Sequence, residues 1–576
     1  MKYCLVHSAT HVNLELKQAL IRSLHLPAPL AHILCQRGFE SVEQVRTFLF
    51  PQLSELPSPF LLSGMDTAVA LIIDAFKKKE TVYVHGDYDV DGISATVLLV
   101  QFFQTMGMSV EWHVPNRLQE KYGLSPLSIE KLCQGKQGLI ITVDCGISNN
   151  DAVQFARKKG LKVIITDHHE PPAELPEAEA IVNPKISHSL FPYRYLSGVG
   201  VAFFLLIALR SKLVQHKFWE RAAAPNLKRY LDLVALGTIA DVMPLTEVNR
   251  TLVRNGLSVL GERVRPGILA LCENAGLWSS FMSSEDVSYR LAPRLNAPGR
   301  MGQPELSVKL LLERSLEKAR GLAAAIEKVN EQRKKLEANV LPTIYQQCEE
   351  QVQQGNRLLM VYSGECHPGI IGIAASRVVD VYARPVVILT DDSTCREGQI
   401  LKGSGRSLNG INLHQLLCAV PEDLILQHGG HAMAVGLTVN HENLAKLNKI
   451  LNDIIKEHES EDSQKTVRID YQINNEELSC DDLVGALQYM QPFGEGNPEP
   501  VFMLKQEQLL NGKAIKRHLK FQVQHKKRHI NGIGFGMSQR LDILSTPVDL
   551  IFKLRRTSFR GVERDEVQAL HIQESA

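Results

Sequence analysis

Between residues 81 and 182, five short apolar runs rich in β-branched residues alternate with helical patterns, and this alternation leaves few folds open. The runs fall at 81–85, 109–114, 138–143, 161–166 and 178–182, with helices fitting between them, for example at 93–106 and 150–159. Strands that alternate with helices belong to crossover units, so the expected fold is α/β, a mostly parallel sheet covered by helices on both faces. In such a sheet all strands end on one edge, and ligands bind there.

That edge carries an unusual set of side chains. The first run leads into His85-Gly86-Asp87-Tyr88-Asp89-Val90-Asp91-Gly92, one imidazole and three carboxylates within seven positions. The third leads into Asp144-Cys145-Gly146 and the fourth into Asp167-His168-His169. Helix N-caps account for single aspartates at strand–helix junctions. They account neither for three acids in one turn nor for adjacent histidines at another strand end. Asp241, after the apolar segment Leu236–Ala240, is a further candidate. Carboxylates gathered at one point repel unless a cation lies between them. Hard oxygen donors suit Mg²⁺ or Mn²⁺, and the imidazoles favour Mn²⁺. The number of acids suits two ions sharing a bridging carboxylate, at the ~3.5–4 Å separation that clamps both oxygens of an in-line phosphoryl displacement. The residues alone therefore point to a metal-dependent phosphoester or phosphoanhydride hydrolase.

At 576 residues the chain is long enough for three or four domains. Its net charge of +1 makes any argument from charge a local one. The ten cysteines contain no C-x-x-C pair, which argues against a zinc knuckle or a disulfide framework. The first ten residues lack the pattern of a signal peptide, and the longest apolar run, Val199–Leu209, is too short to span a bilayer. The expectation is a cytoplasmic protein with no membrane partner.

The expected order of parts is an N-terminal segment to residue 60, a catalytic domain over 61–310 with a helical part from about 197 to 280, a connector helix over 311–354, a second α/β domain over 355–460, and a β-rich domain over 466–576. In the second α/β domain Ser404-Gly405-Arg406-Ser407 offers a guanidinium and two hydroxyls to a phosphate, and Gln427-His428-Gly429-Gly430-His431 adds imidazole and accessible amides. Near the catalytic edge Arg117 is placed to bind phosphate and Tyr122 to stack on a base. Residues 511–560 hold twelve Lys or Arg against two Asp, a local charge of +10, with phenylalanines at 521, 535, 552 and 559. A basic β-barrel of this kind fits an OB-fold that tracks single strands, with Lys516 and Arg528 as candidate contacts.

The order of the first motif, Asp144-Cys145-Gly146, Asp167-His168-His169 and the Asp241 segment resembles the DHH phosphoesterase superfamily. Gly198-Val199-Gly200-Val201-Ala202-Phe203, Pro293–Arg300, Ser404–Ser407 and Gln427–His431 resemble, within it, the RecJ family of single-strand-specific DNA exonucleases. The resemblance covers about residues 30–570. It implies a DHH-type parallel-sheet catalytic domain, a DHH-associated domain that contacts substrate, and a C-terminal OB-fold. It further implies that His85 and Asp89 bind one metal, that Asp91, His168 and Asp241 bind the other, that Asp144 bridges, that His169 faces the scissile phosphate, and that Asp87 supports the ligands. The implied activity is two-metal hydrolysis of single-stranded DNA from 5′ to 3′, releasing 5′ mononucleotides, in DNA recombination and repair. A single-strand-binding protein and a RecQ-type helicase are the implied partners. The chain departs from the family pattern at Ala297-Pro298, where two small residues are expected in a loop. The alternatives are a superfamily phosphodiesterase acting on short oligonucleotides or cyclic dinucleotides, and a non-catalytic replication scaffold. The basic third domain argues against the first, and the filled ligand positions against the second.

Overall fold

The computed structural model describes residues 4–7, 12–120, 122–220, 223–392, 400–408, 410–458, 466–478, 481–525, 528–559 and 562–575. The catalytic sheet is fully parallel. In spatial order its strands are Val110–His113, Val82–His85, Leu139–Val143, Lys162–Thr166 and Ala180–Val182. Val82–His85 and Leu139–Val143 are buried at every position, as central strands covered on both faces must be, which explains their unbroken apolar character. The chain order reverses beside Val82–His85, so a crevice opens at the end of that strand.

Two helices of the catalytic core have almost no polar face. Leu231–Ala240 is buried from Leu231 through Ile239, and Gly198–Gln215 is buried along most of its length. Such helices lie inside a core rather than on it. Gly198–Gln215 is the one single helix among the described residues long and apolar enough to cross a membrane, and two-thirds of it is buried by its own fold.

The long helix runs from Leu316 to Gln353, 38 residues and so about 57 Å. Its first half contributes Ala319, Ala323 and Ile326 to the catalytic core, and its second half contributes Ile344 and Cys348 to the core of the second α/β domain. It is therefore both a connector and a packed helix. The second α/β sheet has the order Gln427–His431, Ala434–Asn440, Ile400–Arg406, Val386–Asp391, Leu359–Tyr362; only the last pair is parallel. Gln427–His431 is an edge strand, exposed at all five positions.

Three features differ from expectation. First, the N-terminal segment is not separate. Cys4–His7 pairs in parallel with Thr466–Ile469, and Leu20, Leu30 and Leu34 share one core with Phe502, Leu550 and Phe552 of the C-terminal domain. Buried Arg250 joins this unit to the catalytic helices: its guanidinium donates to the Phe48, Tyr489 and Met490 carbonyls and lies 3.7 Å from the Phe48 ring centroid. Local patterning cannot reveal a pairing between the two ends of a chain.

Second, the Pro293–Arg300 motif is a helix, Ala292–Arg300, rather than a loop. Pro298 sits in its last turn, with Met301 N donating to the Ala297 and Pro298 carbonyls.

Third, the basic C-terminal window is less free than its composition suggests. Lys553 pairs with Glu499, Arg555 with Glu499 and Glu285, and Arg556 with Asp565, all acids outside the window. Lys513, Lys516, Arg517, Lys520 and Arg540 are exposed, while the Arg528 side chain lies outside the described residues. Phe521 and Phe552 are core; Phe535 is exposed and meets His518 edge-on.

Candidate active site

The ends of Val82–His85, Leu139–Val143 and Lys162–Thr166 bring side chains to the crevice, and Asp241 reaches it from the C-terminal end of the helix Leu231–Ala240. Asp89 caps the helix Val90–Thr105, accepting from Asp91 N at 2.9 Å and Gly92 N at 3.1 Å. The Asp91 carboxylate turns to the start of Gly198–Gln215, accepting from Gly198 N at 2.6 Å and Val199 N at 2.9 Å, where a helix N-terminus favours negative charge. Asp144 follows Leu139–Val143 with φ of 62°, a left-handed conformation that Asp tolerates better than most residues. Two helices approach the acids through glycine. A Cβ on Gly198 would lie 2.5 Å from Asp144 Oδ1, and one on Gly237 would lie 2.5 Å from Asp91 Oδ1.

The ligand-type atoms gather into three overlapping triads, in each of which they lie within 4.8 Å of one another: Asp87, Asp89 and Asp144; Asp91, His168 and Asp241; Asp144, His168 and His169. The second triad brings together the three residues that the resemblance groups around one ion. In the first, Asp87 stands with Asp89 and Asp144, although the resemblance gives it only a supporting role. His85 enters none of the three; its Nδ1 lies 3.7 Å from Cys145 Sγ and its ring faces His113.

The residues present fit a pair of hard divalent cations. His85 Nε2, Asp87 Oδ1, Asp144 Oδ1 and both His168 ring nitrogens are buried with no hydrogen-bond partner. His168 Nε2 approaches Asp144 Oδ1 to 3.1 Å and Asp241 Oδ2 to 3.6 Å, but without hydrogen-bond geometry. The three atoms converge on a common point rather than on one another. Each orphaned buried group costs about 1–3 kcal/mol, so such a cluster persists only if something else satisfies it.

Electrostatics agree. Burial, followed by the charge of Asp89, raises the Asp91 carboxyl to about 7. Burial and neighbouring carboxylates also raise Asp87, Asp144 and Asp241 well above the usual range. Burial holds His85 and His168 near 3, so both imidazoles are neutral and ready to donate lone pairs.

His169 behaves oppositely. Burial lowers its pKa, but the 2.7 Å bond between its Nδ1 and Asp167 Oδ1, together with the charges of Asp167, Asp241 and Asp87, brings it to about 9. Asp167 is itself buried, which raises its carboxyl, yet its hydrogen bond to His169 and the amides of His168, His169 and Ile147 hold it near 2. The site thus contains a fixed imidazolium beside the acid cluster. Asp167 positions it, a role the sequence signals only by the acid preceding two histidines.

Opposite the acids lies positive charge. The ring of His431, on the edge strand of the second α/β domain, stacks against His169 at 6.3 Å and 13°. The Tyr122 hydroxyl is 3.4 Å from His169 Nε2, and Arg117 lies over the Tyr88 ring at 5.3 Å. Arg300 completes the group. Burial, then the nearby guanidinium groups of Arg117 and Arg406, pushes it down to about 10. Arg406 is lowered by burial and by Arg117, and it donates to Ser404 Oγ and the Gly405 carbonyl. Among the described residues no carboxylate pairs with Arg117, Arg300 or Arg406. Like charges held together in this way call for an anion. Ser407 is spent otherwise, its hydroxyl donating to the Ile411 carbonyl at 2.7 Å. Lys516 lies on an exposed turn of the C-terminal domain. Arg300 was legible only as the end of the Pro293–Arg300 motif, because nothing local tells that helix to face Arg117.

Comparison with known proteins follows the same division of the chain. The model for the DHH family, N-terminal domain, matches residues 81–238, the DHHA1 domain 355–457 and the RecJ OB domain 469–571. The single-stranded-DNA-specific exonuclease RecJ of Haemophilus influenzae is 37% identical over 526 residues, covering 88% of this chain and 90% of that protein. The chain belongs to the RecJ family. Its structure resembles that of RecJ from Thermus thermophilus in complex with Mn²⁺, with a TM-score of 0.81 at 29% identity, covering 98% of this chain and 78% of that one. The Mg²⁺ complex of the same protein matches with a TM-score of 0.74 at 26% identity, over 98% of this chain and 77% of that one. The solved RecJ structures thus hold the two ions that the acid and imidazole donors of this crevice suit.

Proposed function

We propose that the chain is a single-stranded-DNA-specific exonuclease that hydrolyses phosphodiesters at the crevice, working from 5′ to 3′ and releasing 5′ mononucleotides in DNA recombination and repair. The observation that carries this reading is the face-to-face arrangement of the orphaned acid and imidazole cluster with the uncompensated arginines.

Mn²⁺ or Mg²⁺ would be held by Asp87, Asp89 and Asp144 on one side and by Asp91, His168 and Asp241 on the other, with His85 reaching the first through Nε2; bound there, the ions activate water and offset charge on the phosphate. Asp144 belongs to two triads and is the natural bridge. His169, kept cationic by Asp167, faces the position where negative charge develops on the reacting phosphate. Arg117, Arg300, Arg406 and His431 hold the terminal phosphates, with Ser404 fixing the Arg406 fork. Tyr122 offers a face for the terminal base.

A cavity of about 1350 Å³ lies between the catalytic helices and the C-terminal domain, beginning at Val242 and Met243 beside Asp241. Exposed Trp278, Phe281 and Tyr289 line it, while its arginines Arg290 and Arg556 are paired with Asp286 and Asp565. Exposed aromatic faces suit an unpaired strand, whose bases are free to stack, better than a dinucleotide. This supports a long single strand as substrate; a RecQ-type helicase and a single-strand-binding protein as partners, and the cytoplasm as the setting, are what the family resemblance implies.

Digestion of single strands labelled at the 5′ or the 3′ end, with Mn²⁺, Mg²⁺ or chelator, tests the reading. Immediate release of a mononucleotide from the 5′ label, slow loss of the 3′ label and no reaction with chelator are expected. Cleavage confined to di- and trinucleotides would remove the single-strand assignment, and reaction in chelator would remove the metal assignment.

A further inference from the structure

The second α/β domain holds another group of metal-ligating side chains, away from the acid cluster. His414 and Cys418 stand four residues apart on the helix Leu413–Cys418, so they share a face. His428 comes from the exposed edge strand Gln427–His431. The ligand atoms of the three lie within 4.8 Å of one another. Cys418 Sγ is 3.8 Å from His414 Nδ1, and the His414 and His428 ring centroids are 5.8 Å apart.

The chemistry differs from that of the crevice. The crevice offers mainly carboxylate oxygens, whereas this group offers two imidazoles and a thiol and contains no carboxylate. Thiolate with imidazole selects zinc-like ions over magnesium or calcium. In tetrahedral geometry, Zn–N of about 2.0–2.1 Å and Zn–S of about 2.3 Å place N and S some 3.6 Å apart, close to the separation found here. Three protein ligands leave one position for water, which the surface location supplies. Cys418 is also the exposed one among the described free cysteines; the others are buried. A thiol held in the open against two imidazoles is placed to bind a metal rather than to fill a core.

We propose that His414, Cys418 and His428 form a binding site for a soft divalent transition metal, zinc by ligand type, which ties the helix Leu413–Cys418 to the edge strand Gln427–His431. His428 and His431 are three residues apart on that strand, so they point to opposite faces. The ion would therefore grip the strand from behind while His431 faces His169. Binding releases the thiol proton to solvent as the Cys418 Sγ–metal bond forms.

Co²⁺ is the probe, because a thiolate ligand gives it a charge-transfer band in the near ultraviolet that oxygen and nitrogen donors do not. The full chain is first stripped of metal and carries Asp144→Asn, which impairs the crevice. One equivalent of Co²⁺ should then give a thiolate band and tetrahedral visible bands, both bleached by equimolar Zn²⁺. Cys418→Ser should remove the thiolate band. His428→Ala should weaken binding by more than the ~10–100-fold typical of losing an outer-sphere partner. Both positions are exposed, and circular dichroism and the melting temperature of each variant without metal establish that it is folded. A thiolate band that survives Cys418→Ser would place the ion elsewhere, for example near Cys145, and overturn the proposal. Absence of any thiolate band at one equivalent would overturn it equally.

Discussion

Two sets of cationic side chains in this protein look alike in sequence and differ in what surrounds them. Arg117, Arg300 and Arg406 press on one another with no ion pair to a carboxylate among the described residues. Lys553, Arg555 and Arg556 each have one: Arg555 Nε lies 2.7 Å from Glu499 Oε1 and its Nη1 2.8 Å from Glu285 Oε2, Arg556 Nε lies 2.9 Å from Asp565 Oδ1, and Lys553 Nζ lies 3.0 Å from Glu499 Oε2. Part of the richer basic stretch is thus neutralised, while Lys513, Lys516, Arg517, Lys520 and Arg540 of the same stretch stay exposed. Charge counted along a window is not charge available to a ligand, because the acids that cancel it arrive from other parts of the chain. The crevice acids repeat the contrast. Asp167 is saturated by amides and His169, whereas Asp87 and Asp144 each keep an orphaned oxygen.

If partnered groups hold the fold and unpartnered ones hold the ligand, substitutions should separate cleanly. The largest effect is expected for Asp144→Asn or Asp91→Asn. Turnover on single-stranded DNA should fall by ~10³-fold or more, since Asp144→Asn removes the bridging ligand and Asp91→Asn a ligand of the second ion, while gel-shift affinity for the strand stays near that of the parent. A variant that still cleaves would remove these residues from the chemistry.

His169→Gln removes the imidazolium and should lower kcat by ~10²–10³-fold, the range for losing one transition-state donor. Asp167→Asn should reproduce part of that loss through His169 alone. Wild-type kcat for Asp167→Asn would show that the imidazolium does not act in catalysis.

Arg300→Ala and Arg406→Ala should each raise KM about 10–100-fold, the equivalent of a charge-assisted hydrogen bond worth ~1.5–3 kcal/mol. Their melting temperatures should stay level or rise, because each change relieves like-charge repulsion. Arg555→Ala should do the reverse. It leaves Glu499 with Lys553 alone and takes Arg555 from Glu285, and should cost about 1–3 kcal/mol in urea unfolding, leaving kcat at saturating DNA unchanged. If Arg555→Ala raised KM and Arg300→Ala unfolded the protein, the distinction drawn between the two sets would fail.

The smallest effect belongs to exposed Lys516. Lys516→Ala should lower the slope of log affinity against log salt by about one unit, as for one lost phosphate contact, with little change in turnover.

Much of the catalytic domain is legible in the amino-acid sequence. The five parallel strands lie where β-branched runs predict them, and Asp89, Asp144 and His168 gather because all strand ends in a parallel sheet share an edge, while Asp241 arrives from the C-terminal end of the helix Leu231–Ala240. The near-complete burial of Leu231–Ala240 and the burial of two-thirds of Gly198–Gln215 follow from their lack of a broad polar face. What stays hidden depends on contacts remote in sequence. Arg300 joins Arg117 and Arg406, residues from three separate segments. The N-terminal helices Leu14–Leu24 and Ala28–Gln36 share a core with strands of the C-terminal domain, at the far end of the chain.

Local periodicity and residue type are enough to say which elements form and which chemistry stands at the strand ends. They do not say which charges are neutralised, that Asp87 stands among the converging oxygens while His85 leans toward Cys145, or that His431 faces His169. Those outcomes belong to the packing of distant segments. They rest on separations of a few ångströms, and Coulomb and hydrogen-bond energies at that range change with every ångström.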